Sequence, residues 1–166
     1  MQPGNWDFSQ ELFIRLGLAL LAGVVLGLNR WLHHKSAGIR THSLVSLGAA
    51  LAMLAISTLS GGDAQAASRV MQGLLTGMGF LGAGVIIQIN HTQRVRGLTT
   101  AANLWACALL GASFGAGLHA LGLTALFAVM LVLLLGGSIE HWTGNALGIK
   151  RSAELPDDES DRPEAD

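Results

Sequence analysis

From Gly97 to Ile139 the sequence runs for 43 residues without a formally charged side chain. A helix rises 1.5 Å per residue and needs about 20 apolar residues to cross a hydrocarbon layer of about 30 Å. The run is therefore too long for one crossing and long enough for two, with a turn in GAGLHALG, around Gly115 to Gly122. A second uncharged run, 24 residues between Arg69 and Arg94, supplies another crossing. Composition agrees: only 13% of residues are charged, against about 25% in a soluble domain. The chain reads as a membrane protein.

The first apolar segment is harder to fit, because only fourteen residues separate Arg15 from Arg30. To span, its helix must begin near Phe8 to Glu11, which sets Arg15 at the hydrocarbon edge. A signal peptide would carry a basic leading region, and this one is acidic. The expected architecture is all-α, a polytopic bundle of five transmembrane helices at about 9–29, 42–60, 70–89, 98–115 and 121–139. Together these make one domain, residues 1–149. Seven of the 11 acidic residues fall within the last thirteen positions, so residues 150–166 read as a disordered acidic tail. Lys and Arg gather in the loops after helices one and three and after helix five, which predicts a periplasmic N-terminus and a cytoplasmic C-terminus. Trp6, Trp31 and Trp142 fall near helix ends, as in an interfacial belt.

Small residues then suggest how the helices meet. Glu11, Arg15, Ala19, Gly23 and Gly27 recur every fourth position and form one ridge. Glu11 precedes Arg15 in the favourable order for a helical ion pair. Thr99, Asn103, Cys107, Gly111 and Gly115 form a comparable ridge on the fourth helix. The third contains Gly73, Gly77, Gly79, Gly82 and Gly84, and is expected to be a central helix with close neighbours on both sides. The fifth, mostly Leu, Val, Ala and Phe, is expected to face lipid.

The chemistry available to such a chain is limited. Gly77, Gly79 and Gly82 spell GxGxxG, but no strand precedes them, so a nucleotide cradle is not indicated. Cys107 is the only cysteine, and no catalytic set of Ser, His and acid or paired carboxylates shares a region. Magnesium prefers carboxylate and water oxygens. Glu11 is the one carboxylate placed in the membrane, and Arg15 is positioned to neutralise it. No metal site, cofactor, catalysis or nucleic-acid partner is expected. His33, His34, His42 and His91 are read as solvated loop residues. Arg40 and Arg96 precede helix starts with Thr41 and Thr99 close behind. The two arginines mark either a positive-inside boundary with threonine caps or a cytoplasmic anionic site. Asn103 is read as a hydrogen-bonding residue between helices.

Four stretches carry a resemblance. They are E-x3-RL with its following glycines (Glu11, Arg15, Leu16, Gly23, Gly27), AGIRTHSLV (Ala37 to Val45), GMGFLGAGVI (Gly77 to Ile86) and VRGLTTAANLW (Val95 to Trp105, including Thr99 and Thr100). In these the chain resembles the MgtC/SapB family of bacterial inner-membrane proteins. The sequence departs from the family in GLNR, where Asn29 replaces a frequent acid, and in Trp31 after Arg30. It is expected to be a short, SapB-like member without a C-terminal soluble domain. The resemblance implies a link to growth under magnesium limitation and restraint of the F-type ATP synthase. The partners so implied are the lipid bilayer, another membrane complex and further copies of the chain. The alternative is a small ion or solute transporter or channel, as a monomer or a dimer, with Glu11, Arg15 and Asn103 lining a polar path.

Overall fold

A computed structural model describes residues 5–89 and 94–146. It has five helices: α1 (Asn5–Leu32), α2 (Ile39–Leu59), α3 (Ala64–Val85), α4 (Leu98–Gly115) and α5 (His119–Ala146). Stretches of four of them, Ser9–Leu32, Ile39–Leu59, Leu98–Gly115 and His119–Gly137, are long and apolar enough to cross a membrane. α3 has the length, with 22 residues, but Gln65, Arg69 and Gln72 dilute its hydropathy. The expected acidic tail lies outside the described residues.

Helix ends differ from expectation for local reasons. α3 starts at Ala64 rather than near residue 70, because the Asp63 side chain accepts from the backbone N–H groups of Gln65 (3.0 Å) and Ala66 (3.3 Å). That is an ordinary acidic N-cap. It ends at Val85, and β1 (Ile87–Ile89) pairs antiparallel with β2 (Arg94–Arg96) where continued helix and a loop were expected. The β-branched Ile86, Ile87 and Ile89 favour that extended end. α5 continues to Ala146, seven residues beyond the expected limit.

The packing divides after Met130. The first unit holds α1 to α4 and the opening turns of α5; the second, from Leu131, holds the rest of α5. Within the first unit the centre is α4, 56% of whose membrane window is buried, against 6% for α5. α5 thus leaves nearly all of its membrane window unburied, which is compatible with the lipid exposure expected from its composition. α1 runs antiparallel to α2, with Gly23 opposite Ser43 and Gly27 opposite Ile39. α2 runs parallel to α4, with Ser46 opposite Gly111 and Ala50 opposite Gly115. A methyl group at Gly23 would come within 2.6 Å of the Ser43 Cα, and one at Gly111 would collide with the Ser46 carbonyl oxygen. Backbones approach this closely because lipid offers no hydrophobic drive, leaving van der Waals contact to hold helices together.

α3 is not the central helix. It lies at the side of the unit against α4 and α2, with Met78 and Gly82 as its buried residues. Gly82 faces the Ala101 side chain, where an added Cβ would sit at an ordinary 3.6 Å. Added at Gly73, Gly77, Gly79 or Gly84, it would meet nothing among the described residues within 4 Å. Glycine density permits close approach without naming the neighbour, and in this chain three helices fill the centre without α3.

Candidate functional site

Two polar groupings sit at opposite ends of the α1–α2–α4 core. At one end, Arg15 Nε donates to Glu11 Oε1 at 2.8 Å, one helical turn away. Its Nη1 donates to the Gly115 carbonyl at 3.1 Å. That carbonyl closes α4, so the guanidinium lies at the negative end of a helix dipole. The chain then turns through Gly117, which has φ +79 and packs directly under the Arg15 guanidinium. Nε2 of His119 stands 3.8 Å from Glu11 Oε1. Glu11 and Arg15 keep 42% and 21% of their side-chain surface, so this grouping is half-open.

At the other end the polar groups are enclosed. Arg30, 5% exposed, donates through Nη2 to Oγ1 of Thr100, itself 3% exposed. Asn103, one turn further along α4, lies 3.0 Å by its Nδ2 from Nε2 of the fully buried His42. The other ring nitrogen, Nδ1, is 3.0 Å from the Gly38 carbonyl. A carbonyl only accepts, so Nδ1 carries the proton and Nε2 accepts from the Asn103 amide. The backbone of the same histidine accepts from Cys107 Sγ at 3.2 Å. Ser46, one turn on from His42, donates to the Ala19 carbonyl at 2.7 Å. α1, α2 and α4 are thus stitched by side chains as well as by glycine contact.

These positions correct three expectations. His42 is not a solvated loop histidine, because helix α2 begins at Ile39 and carries it inward with Ser46, Ala49, Ala50 and Met53. Arg30 is not a free loop charge, since α1 continues to Leu32 and Arg30 extends the buried stripe of Ala19, Ala22, Leu26 and Asn29. Both residues could have been found by helical spacing, had the charge count not placed them in a loop. Thr41 and Thr99 do not cap their helices either. The N-caps are Gly38 and Gly97, without a side-chain hydrogen bond at either. Gly97 has φ +92, and a Cβ there would collide with the Val85 carbonyl.

The structure also separates Asn103 from Glu11 and Arg15. Arg15 reaches Gly115, twelve residues beyond Asn103 on α4, or about 18 Å at 1.5 Å per residue. Arg40, Thr41, Arg96 and Thr99 are exposed around the enclosed end. Beside them a groove of about 520 Å³ opens between α2, α3 and α4, lined by Thr41, Val45, Phe80, Leu81, Gly84 and Leu104. Among the described residues, no group of three or more His, Cys, Asp or Glu side chains is placed to hold a metal ion.

Comparison with known proteins follows the same core. The MgtC family model matches residues 16–142, from near the middle of α1 to the late turns of α5. Protein SrpB of Synechococcus elongatus is 45% identical over 143 residues, covering 80% of this chain and 77% of its own. The putative magnesium transporter YhiD of Escherichia coli is 38% identical over 130 residues, 74% of this chain and 59% of its own. Protein MgtC of Brucella abortus is 42% identical over 118 residues, 70% of this chain and 48% of its own. The chain thus spans between about half and three-fifths of the length of those last two relatives. No solved structure matches it. With the family model and these relatives agreeing over the transmembrane core, the chain belongs to the MgtC family.

Proposed function

We propose that this protein acts without catalysis, by helix contacts with another complex in the bacterial inner membrane, and so supports growth when magnesium is scarce. The N-terminus is then periplasmic and the C-terminus cytoplasmic, as the Lys and Arg distribution favours. The F-type ATP synthase is the candidate complex. The observation that carries this reading is the unused glycine face of α3. Gly73, Gly77 and Gly84 have open space where a Cβ would be, and Phe80 beside them is 82% exposed. Such a face lets a second helix approach to backbone distance. Glu11, by contrast, already accepts from Arg15, which leaves little charge for a cation.

The test is affinity purification from native membranes after growth at low magnesium, comparing wild type with Gly77→Leu. The new side chain enters open space in the isolated chain, so the fold should persist. A partner recovered with the wild type and lost with Gly77→Leu supports the reading. Equal recovery, or no partner at all, sinks it.

A second reading, a small transporter, draws on the name of the YhiD relative and on the enclosed polar residues Arg30, Thr100, Asn103 and His42. Magnesium flux into proteoliposomes that disappears with Asn103→Leu would favour it over helix contact.

A further inference from the structure

Arg30 is the least comfortable group in the described structure. Its side chain is 5% exposed, Nη2 donates to Thr100 Oγ1, and the Nε–H has no partner. Both ion pairs among the described residues belong to Glu11, at the far end of the core. A buried guanidinium without a counter-charge is costly, since desolvation removes water's stabilisation and nothing replaces it. In a transmembrane bundle that cost is not relieved by surrounding solvent.

What surrounds Arg30 is also electropositive. Gly27, one turn earlier on α1, packs against Ile39 at the start of α2. Thr100, which receives the guanidinium, is the third residue of α4. Because α2 and α4 run parallel, their N-termini lie at the same end of the core. Each begins at a glycine cap with no side-chain acceptor for its first-turn N–H groups. Two helix N-termini of this kind place partial positive charge where Arg30 already places a full one. Arg40 and Arg96 stand exposed at the same end.

We propose that this end binds a phosphate-bearing anion, held by Arg30 and the uncapped first turns of α2 and α4, with Arg40 and Arg96 drawing it in. The phosphate belongs either to a phospholipid headgroup or to a soluble molecule. The chemistry is the same: oxygen acceptors for a guanidinium fork and for backbone N–H groups.

The experiment uses the full chain in detergent, stripped of lipid, with thermal unfolding as the readout. One arm titrates phosphatidylglycerol against phosphatidylcholine; the other titrates inorganic phosphate against chloride at constant ionic strength. A saturable upward shift with phosphatidylglycerol alone assigns a lipid headgroup, and one with inorganic phosphate assigns a soluble source. Arg30→Gln should weaken the response about tenfold or more, the loss expected for one hydrogen bond to a charged group. Arg69→Gln, on α3 near its other end, should leave it unchanged. A full response in Arg30→Gln overturns the proposal. Should that variant not fold, the wild type still decides, because no saturable shift with either probe overturns it as well.

Discussion

The glycines of α1 and α4 and those of α3 are the same residue put to opposite uses. Gly23, Gly27, Gly111 and Gly115 each lie against the backbone of α2, where even a methyl group has no room. Gly73, Gly77, Gly79 and Gly84 lie against nothing among the described residues. Close backbone approach is therefore spent on building the α1–α2–α4 core and left open on α3. The difference shows that a small-residue ridge marks a capacity for contact, while burial decides whether the contact is internal. Substitutions in the two sets should then differ in sign as well as in size.

The largest effect is expected at the α2–α4 crossing. Gly111→Ala drives a methyl into the Ser46 carbonyl, and backbone on both sides gives little. Overpacking of this kind costs about 1–3 kcal/mol, and Gly115→Ala, which meets the Ala50 carbonyl, should behave alike. Unfolding of each variant in mixed micelles of increasing denaturing detergent measures the loss. A variant as stable as wild type would mean that the helices part easily, which removes one half of the comparison.

An intermediate effect belongs to the side-chain stitches across the same core. Asn103→Leu leaves His42 Nε2 without its donor, and Ser46→Ala removes the hydroxyl that reaches the Ala19 carbonyl. Hydrogen bonds between membrane helices are worth about 0.6 kcal/mol on average and up to about 1.7 kcal/mol. The Asn103 change should sit near the upper figure, because Asn103 and His42 are both enclosed, and the Ser46 change near the lower. The same unfolding assay ranks them. The reverse order would show that the histidine readily finds another donor.

Much of this core is legible in the sequence for one reason: outside closed β-barrels, lipid forces every spanning segment to be a helix, so the spacing of charges counts the candidates. The ridges from Glu11 to Gly27 and from Thr99 to Gly115 follow from a four-residue period, and their parts from Ala19 to Gly27 and from Asn103 to Gly115 are the faces α1 and α4 turn toward α2. What stayed hidden was which charges are buried. Lys and Arg between helices usually mark a boundary, which leaves Arg30 just outside the expected first helix and His42 at the solvated start of the second. The structure extends α1 and α2 by about a turn each and takes both side chains inside. A count of charges predicts sidedness but is blind to a helix that continues past them. The position of α3 was hidden too, since periodicity gives a face and not its occupant.

The smallest effect carries the sharpest test of that last point. In the isolated chain Gly77→Ala adds a methyl to empty space, and a helix-interior alanine is better than glycine by about 0.5–1 kcal/mol. Purified in detergent, the variant should be slightly more stable than wild type. In the native membrane the same methyl would push back any helix seated on α3, so recovery of a bound partner should fall while stability rises. Opposite signs in the two assays would establish that this glycine serves a contact outside its own chain. A loss of stability in detergent comparable with that of Gly111→Ala would instead place α3 against a neighbour within the chain, and the contrast between the two sets of glycines would disappear.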